Sequence, residues 1–254
     1  MTAETLHPPR ASCFTQPVGA LIPTTLVDYP GRVAASLFLT GCNLRCPYCH
    51  NGALVLQNER LDQLVSIEQT LAHLKRRRAV LTGFVISGGE PLLYPHLAAL
   101  ITEAKSLGYR IKLDTNGTLP ERLRTLMEKS DTAPDFIAMD LKTAPDHYAL
   151  LIPHRTDSDT DDIARRLTET IGLLAALPAD RREWRTVLVP PLVGKTDIAA
   201  LAALLPADAS WQLTSFRNDH CLDPAYDIIA PYTDAQTADL VAYAQSLIAG
   251  TQLR

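Results

Sequence analysis

Three cysteines, Cys42, Cys46 and Cys49, fall in the segment GCNLRCPYCHNG at residues 41–52, spaced CxxxCxxC. Three thiolates on so short a loop can enclose one metal centre. A structural zinc takes four ligands, and the nearest fourth, His50, directly follows Cys49, an awkward position from which to complete the same tetrahedron. Iron–sulfur cubes normally take four cysteines, so three leave one iron with an open coordination position, a place to bind something. Spacing alone keeps both metals in play.

Further along, Gly88-Gly89-Glu90-Pro91 either marks a tight turn or lets backbone groups approach a ligand closely, beside the carboxylate of Glu90. Asp114-Thr115-Asn116-Gly117 and Asp140-Leu141-Lys142 bring carboxylates, an amide and a lysine. Asx side chains also bond their own backbone in turns, and Arg185 reads equally well as a solvated edge charge. Two carboxylates at close range repel unless a proton or cation intervenes, so Asp114 and Asp140 call for a positive group nearby. Lys142, or a monovalent cation held with help from Thr115, would meet that need.

These residues need a frame that gathers them. From Arg32 onward, short aliphatic and β-branched runs alternate with longer runs of helical period, as βα units around a parallel sheet do. Strands are expected at Val33–Leu39, Phe84–Ser87, Arg110–Asp114, Phe136–Leu141, Glu183–Val189 and Trp211–Thr214. Ser66 with Gln69, and Thr233 with Gln236, are spaced as capping boxes; Gly108 suits a helix stop, and Thr118 an N-cap ahead of Pro120. Met1–Pro23 has no apolar period and is assigned no fold, so residues 1–31 read as an N-terminal arm and 32–254 as one α/β domain. Six parallel strands can form an open doubly wound sheet or an incomplete barrel. Either way, polar residues just past the strands converge on one rim.

A chain of 254 residues, 46% hydrophobic, can bury a sizeable core, which excludes disorder as its main state. With 28 acids against 24 bases and a net charge of -4, it carries no global positive field for a nucleic-acid backbone. Apolar stretches such as Ile198–Leu205 fall short of the roughly 18 residues a membrane span requires. His7, Pro8, Pro9 and Arg10 interrupt any signal-peptide core, so a cytoplasmic location is expected. Cys13 and Cys221 lack a CxxC companion and do not support a second cluster, and His220 beside Cys221 reads as surface. The basic run Lys75–Arg78 and the acids within 157–162 complement helix dipoles.

The cysteine loop with Tyr48 before its last thiol, followed by GGEP, resembles the radical S-adenosylmethionine (SAM) superfamily. The run CNLRCPYCHN, Asp28-Tyr29-Pro30-Gly31-Arg32, the DTNG turn and Met139-Asp140-Leu141-Lys142 are similar, within it, to the activases of glycyl-radical enzymes. The wording is nearest to the activating protein of anaerobic ribonucleoside-triphosphate reductase, then to that of pyruvate formate-lyase. The resemblance runs in order from Asp28 to about Phe216.

It implies a partial (β/α)6 TIM-type barrel and a [4Fe-4S] cluster on Cys42, Cys46 and Cys49, whose unique iron chelates SAM. One electron, from a flavodoxin or ferredoxin, then cleaves SAM to methionine and a 5′-deoxyadenosyl radical, which takes hydrogen from a glycine of the partner enzyme. It further implies Tyr48 beside the adenine, and Gly88, Gly89 and Glu90 at the methionine ammonium. Asp114, Asn116, Asp140 and Lys142 fall to the ribose and carboxylate, Arg185 and Val187 to the adenosyl group, and Asp28 and Arg32 to the substrate peptide. The main alternative is a radical SAM enzyme acting on a small molecule, such as a 7-carboxy-7-deazaguanine synthase. An iron–sulfur electron carrier would leave GGEP and DTNG without a role.

Overall fold

The computed structural model describes residues 14–56, 64–153 and 159–254. Cys13 and part of the acidic run at 157–162 lie outside the described residues. Nine strands form one sheet in the order β3-β1-β2-β4-β5-β6-β7-β8-β9. All six expected strands are present: β2 (Ala34–Leu39), β4 (Gly83–Gly88), β5 (Arg110–Thr115), β6 (Phe136–Asp140), β7 (Arg182–Leu188) and β8 (Trp211–Ser215), each parallel to the next. Because their spatial order follows their chain order, the sheet has no switch point. Right-handed crossovers then leave the crossover helices on one face, and the sheet curls into a partial barrel, not a doubly wound layer.

Three strands were not anticipated. β9 (Thr251–Leu253) extends the parallel run beside β8. β1 (Pro17–Thr25) runs antiparallel to β2, from Gly19 opposite Leu39 to Thr25 opposite Ala34, and β3 (Val65–Ser66) pairs with β1. The expectation of no regular element up to Pro23 therefore fails from Pro17 onward. β9 and β3 are the two edge strands, and just past β9 the Arg254 guanidinium donates to the Val27 carbonyl in the connection from β1 to β2.

Strand periodicity decides what each face carries. Toward the helices point Leu37, Ile86, Leu113, Met139, Trp184 and Trp211, packed with helix residues such as Leu74, Leu100, Leu167 and Leu201. On the opposite face Tyr29, Ala34, Val85, Phe136 and Ala138 form a small apolar cluster near the strands' N-terminal ends. Higher on that face the same alternation presents Ser87, Lys112, Asp114, Asp140, Glu183 and Arg185.

A short helix, α1 (Gly52–Leu56), follows the cysteine loop with Val55 on the site cavity, and the longer helices are α2 (Ile67–Arg77), α3 (Leu97–Ser106), α4 (Pro120–Met127), α5 (Asp159–Ala175), α6 (Lys195–Ala202) and α7 (Asp234–Leu247). Ser66 and Gln69 form a complete capping box at α2, as do Thr233 and Gln236 at α7. Thr118 does not cap α4. Its hydroxyl and amide both donate to Asn116 Oδ1, at 2.6 and 3.0 Å, and Leu119 occupies the cap without a side-chain bond. The oxygen a cap would use as acceptor instead accepts from Asn43 Nδ2 at 2.7 Å.

Candidate functional site

The cysteine loop follows β2 at the C-terminal rim. Cys49 N–H donates to Cys46 O, and the Arg45 guanidinium donates to the carbonyls of Cys42 and Leu44 at 2.7 and 2.9 Å, holding the loop in a tight coil. All three thiols line one cavity of about 260 Å³, shared with Tyr48, Gly88, Gly89, Asp114 and Asn116. Burial pushes the Cys46 thiol up to about 12 and raises that of Cys42. Such thiols stay protonated by themselves and become ligands only when a metal's charge displaces the proton.

Three sulfur donors from one loop on one cavity fit an iron–sulfur centre with an open iron. His50 does not complete a zinc tetrahedron: its Nε2 lies 2.9 Å from Arg217 O and 3.6 Å from Asp219 Oδ1. Cys221 does not line the cavity, and its thiol, raised by burial to about 11, lies toward Arg217 O.

The end of β4 presses backbone against backbone on this loop. A Cβ on Gly89 would stand 1.9 Å from Gly41 O, and Gly88 has φ +118 with Leu39 N 2.3 Å from where its Cβ would be. Both glycines are needed for the close approach. Glu90 does not line the cavity. Its carboxylate is fully buried, Oε1 accepting from Thr115 Oγ1 (2.9 Å) and Leu92 N (3.1 Å) and Oε2 from Asn116 N (2.7 Å), so it ties the ends of β4 and β5 together. The acidic ammonium acceptor expected here is turned into the wall by those three donors. Burial pushes it up to about 7 in spite of them.

Asn116 lines the cavity and closes its own turn. Its Oδ1 closes the turn onto Thr118, and its Nδ2 reaches Asn43 Oδ1 at 2.9 Å and lies 3.9 Å from Cys42 Sγ. Tyr48 forms the wall, its ring edge-on to Phe216 at 6.5 Å and its hydroxyl donating to Lys142 O at 3.3 Å.

Asp114 and Asp140 meet through Arg185, whose Nη1 lies 3.1 Å from Asp114 Oδ2 and whose Nε lies 2.7 Å from Asp140 Oδ1. Lys142 Nζ bonds Asp140 at 2.9 Å, and Lys112 Nζ bonds Asp114 at 2.6 Å. Burial opposes ionisation of both carboxyls, but Arg185 with Lys112 or Lys142 more than offsets it, holding Asp114 below and Asp140 well below the usual range. Arg185 is thus no solvated edge charge. A second cavity of about 340 Å³ shares Asp114, Asp140, Lys142, Val187 and Thr214 with the first and runs on to Arg185, Asp28 and Arg254. Asp28 accepts from Ser36 Oγ at 2.6 Å. Arg32 lines neither cavity; its guanidinium stacks 5.6 Å over the ring of Tyr29, in the cluster at the other end of the barrel.

Sequence reasoning missed Ser87, whose hydroxyl donates to Asp114 Oδ2 at 2.9 Å, and the buried pair Lys112 and Glu183. The signal was available: Arg110, Lys112 and Asp114 alternate with Ile111 and Leu113 on a strand that must be buried on the helix side.

Residues 36–173 match the model of the radical SAM superfamily. A Methanocaldococcus jannaschii protein named "Putative glycyl-radical enzyme activating enzyme" is 32% identical over 186 residues, 73% of each chain. The 7-carboxy-7-deazaguanine synthase of Hyperthermus butylicus is 36% identical over 97 residues, 38% of this chain and 40% of that one. Among solved structures, QueE from Escherichia coli superposes with a TM-score of 0.53 at 15% identity, over 93% of this chain and 92% of that one, which speaks for the fold alone.

Proposed function

The chain belongs to the radical SAM superfamily, and we propose that within it the protein is the activase of a glycyl-radical enzyme, with anaerobic ribonucleoside-triphosphate reductase as partner. The carrying observation is the pair of joined cavities, one walled by the three thiols, the other leading from Asp140 and Val187 to Asp28 and Arg254 at the open side of the sheet.

When bound, a 4Fe–4S cluster and SAM supply a 5′-deoxyadenosyl radical for each electron delivered, here by a flavodoxin or ferredoxin. The chain's own groups bind, orient and exclude water. Cys42, Cys46 and Cys49 hold the cluster, and Tyr48 walls the adenine side. The backbone at Gly88 and Gly89 faces the amino-acid end of SAM. Glu90 acts behind it, by fixing Thr115 and Asn116.

Asp114, Asn116, Asp140, Lys142 and Arg185 present a fixed charge pattern to ribose and carboxylate, and Val187 keeps the reacting carbon in apolar company. Arg185, Lys112 and Lys142 already neutralise the two aspartates, and the Thr115 hydroxyl is committed to Glu90. Both facts argue against a monovalent cation at Asp114, Thr115 and Asp140.

The sideways opening suits an extended peptide, with Asp28 as acceptor for its amides. Glycine is the residue whose α-hydrogen can come closest, since no side chain intervenes. The test mixes reduced protein, SAM and anaerobic ribonucleotide reductase and looks by electron paramagnetic resonance for a glycyl doublet that vanishes when the target glycine is changed to alanine. The identity to the deazaguanine synthase supports the alternative of a small-molecule substrate. SAM cleavage coupled to turnover of a small metabolite, with no doublet, would decide for that reading.

A further inference from the structure

Six charged side chains alternate in sign across β5, β6, β7 and the turn that follows β6: Glu183, Lys112, Asp114, Arg185, Asp140 and Lys142. Each neighbouring pair is within ion-pair distance, from 2.6 Å for Lys112–Asp114 to 3.7 Å for Lys112–Glu183. Lys112 stands below both cavities, its side chain 1% exposed, and lines neither. A lysine so buried must have its charge met, and Asp114 meets it at hydrogen-bond length, whereas Glu183 stands farther off with an Oε1 that makes no hydrogen bond among the described residues.

A carboxylate has about four acceptor sites. Asp114 spends two of them on Oδ2, toward Ser87 and Arg185, and one on Oδ1, toward Lys112. That leaves one site on Oδ1, next to the Lys112 bond.

We propose that Lys112 is a positioning residue for the cofactor site: it fixes the plane of the Asp114 carboxylate so that its single remaining acceptor site faces the cavity and takes a hydroxyl of the bound nucleoside. The inference rests on the reading of that cavity as the SAM site. Without Lys112 the carboxylate keeps two partners on one oxygen and can rotate about that edge. A purely structural role would instead mean that Lys112 serves to neutralise Glu183.

The test is a cycle in the Glu183→Gln background, where removing Lys112 orphans no buried acid at that position. Dissociation constants for SAM are measured by equilibrium dialysis on reconstituted protein, and SAM addition is followed as a change in the electron paramagnetic resonance signal of the reduced cluster. Glu183→Gln alone should leave SAM affinity within twofold. Adding Lys112→Met should weaken it at least tenfold and shrink the SAM-induced spectral change, at unaltered iron content. The same substitution on top of Asp114→Asn should cost less than twofold.

Lys112→Gln, which keeps a donor without the charge, is run in parallel so that a misfolded methionine variant does not end the experiment. It should lose at least threefold, again only when Asp114 is intact. Full affinity in the Glu183→Gln, Lys112→Met protein would overturn the proposal, as would an equal loss with and without Asp114. Failure of the parent protein to bind SAM at all would instead sink the reading of the cavity.

Discussion

Cys46 lies deepest of the three thiols, and without a metal its proton is held until about pH 12. Cluster assembly therefore has to displace protons from groups that burial keeps neutral. Replacing Cys42, Cys46 or Cys49 with serine should abolish iron retention and SAM cleavage together, whereas Cys221→Ser should retain both; about four irons and four sulfides per chain are expected in anaerobically reconstituted protein. Stoichiometric zinc without cluster uptake would contradict this. Glu90 gives a second prediction, because burial raises its carboxyl from the ordinary 4.5 to about 7. Between those values the folded state binds more protons than the unfolded one, so this group's contribution makes stability fall as pH rises through the window and level off above it. Glu90→Gln removes the titration. Urea unfolding of the metal-free variant from about pH 5 to about pH 7 should show a flatter decline than the parent, whatever the offset between the two curves; parallel curves would count against it.

At the scale of elements, the junction between β4 and the cysteine loop is the most constrained contact. A methyl on Gly89 meets the Gly41 carbonyl and not a side chain, so relief requires one backbone to move. Gly89→Ala should therefore lower iron content at least severalfold and cost on the order of 1–3 kcal/mol of stability, read from iron analysis and urea unfolding. The six inner strands were legible because alternating apolar residues on a buried face leave little choice of register. β1 was not, since Pro17, Gly19 and Pro23 break any strand pattern and its order comes from pairing with β2. β9 is three residues long and exists as an extension of β8. The same limit applies to the site. Residue types named Asp114, Asp140 and Lys142, but that Arg185 bridges the aspartates depends on β7 lying beside β6. That Glu90 turns inward depends on where the β5 turn leaves its amide donors. Both are facts of tertiary neighbourhood that no local pattern encodes.

The whole molecule is a barrel that stops short of closure. Past the last strand, β9, a side chain reaches the connection between β1 and β2, where the Arg254 guanidinium meets the Val27 carbonyl. Apolar side chains are left in water around it: Leu26 is 74% exposed, Val27 67% and Leu253 49%. Scattered exposed apolar residues mean nothing, but three beside the mouth of a cavity that reaches Asp140 and Val187 form a surface a macromolecule can cover. A small metabolite entering that cavity would not touch them. Leu26→Asp and Val27→Asp should thus raise KM for the glycyl-radical enzyme about tenfold, the loss of roughly 1–2 kcal/mol expected for a charge set into an interface core. Affinity for SAM and cleavage with dithionite should stay within twofold, because neither residue lines either of the two joined cavities. Activation is read as glycyl radical formed per minute against partner concentration. Equal KM values for parent and variants would mean that the partner approaches from elsewhere, and loss of SAM affinity would mean that the loop carrying Leu26 and Val27 supports the site itself.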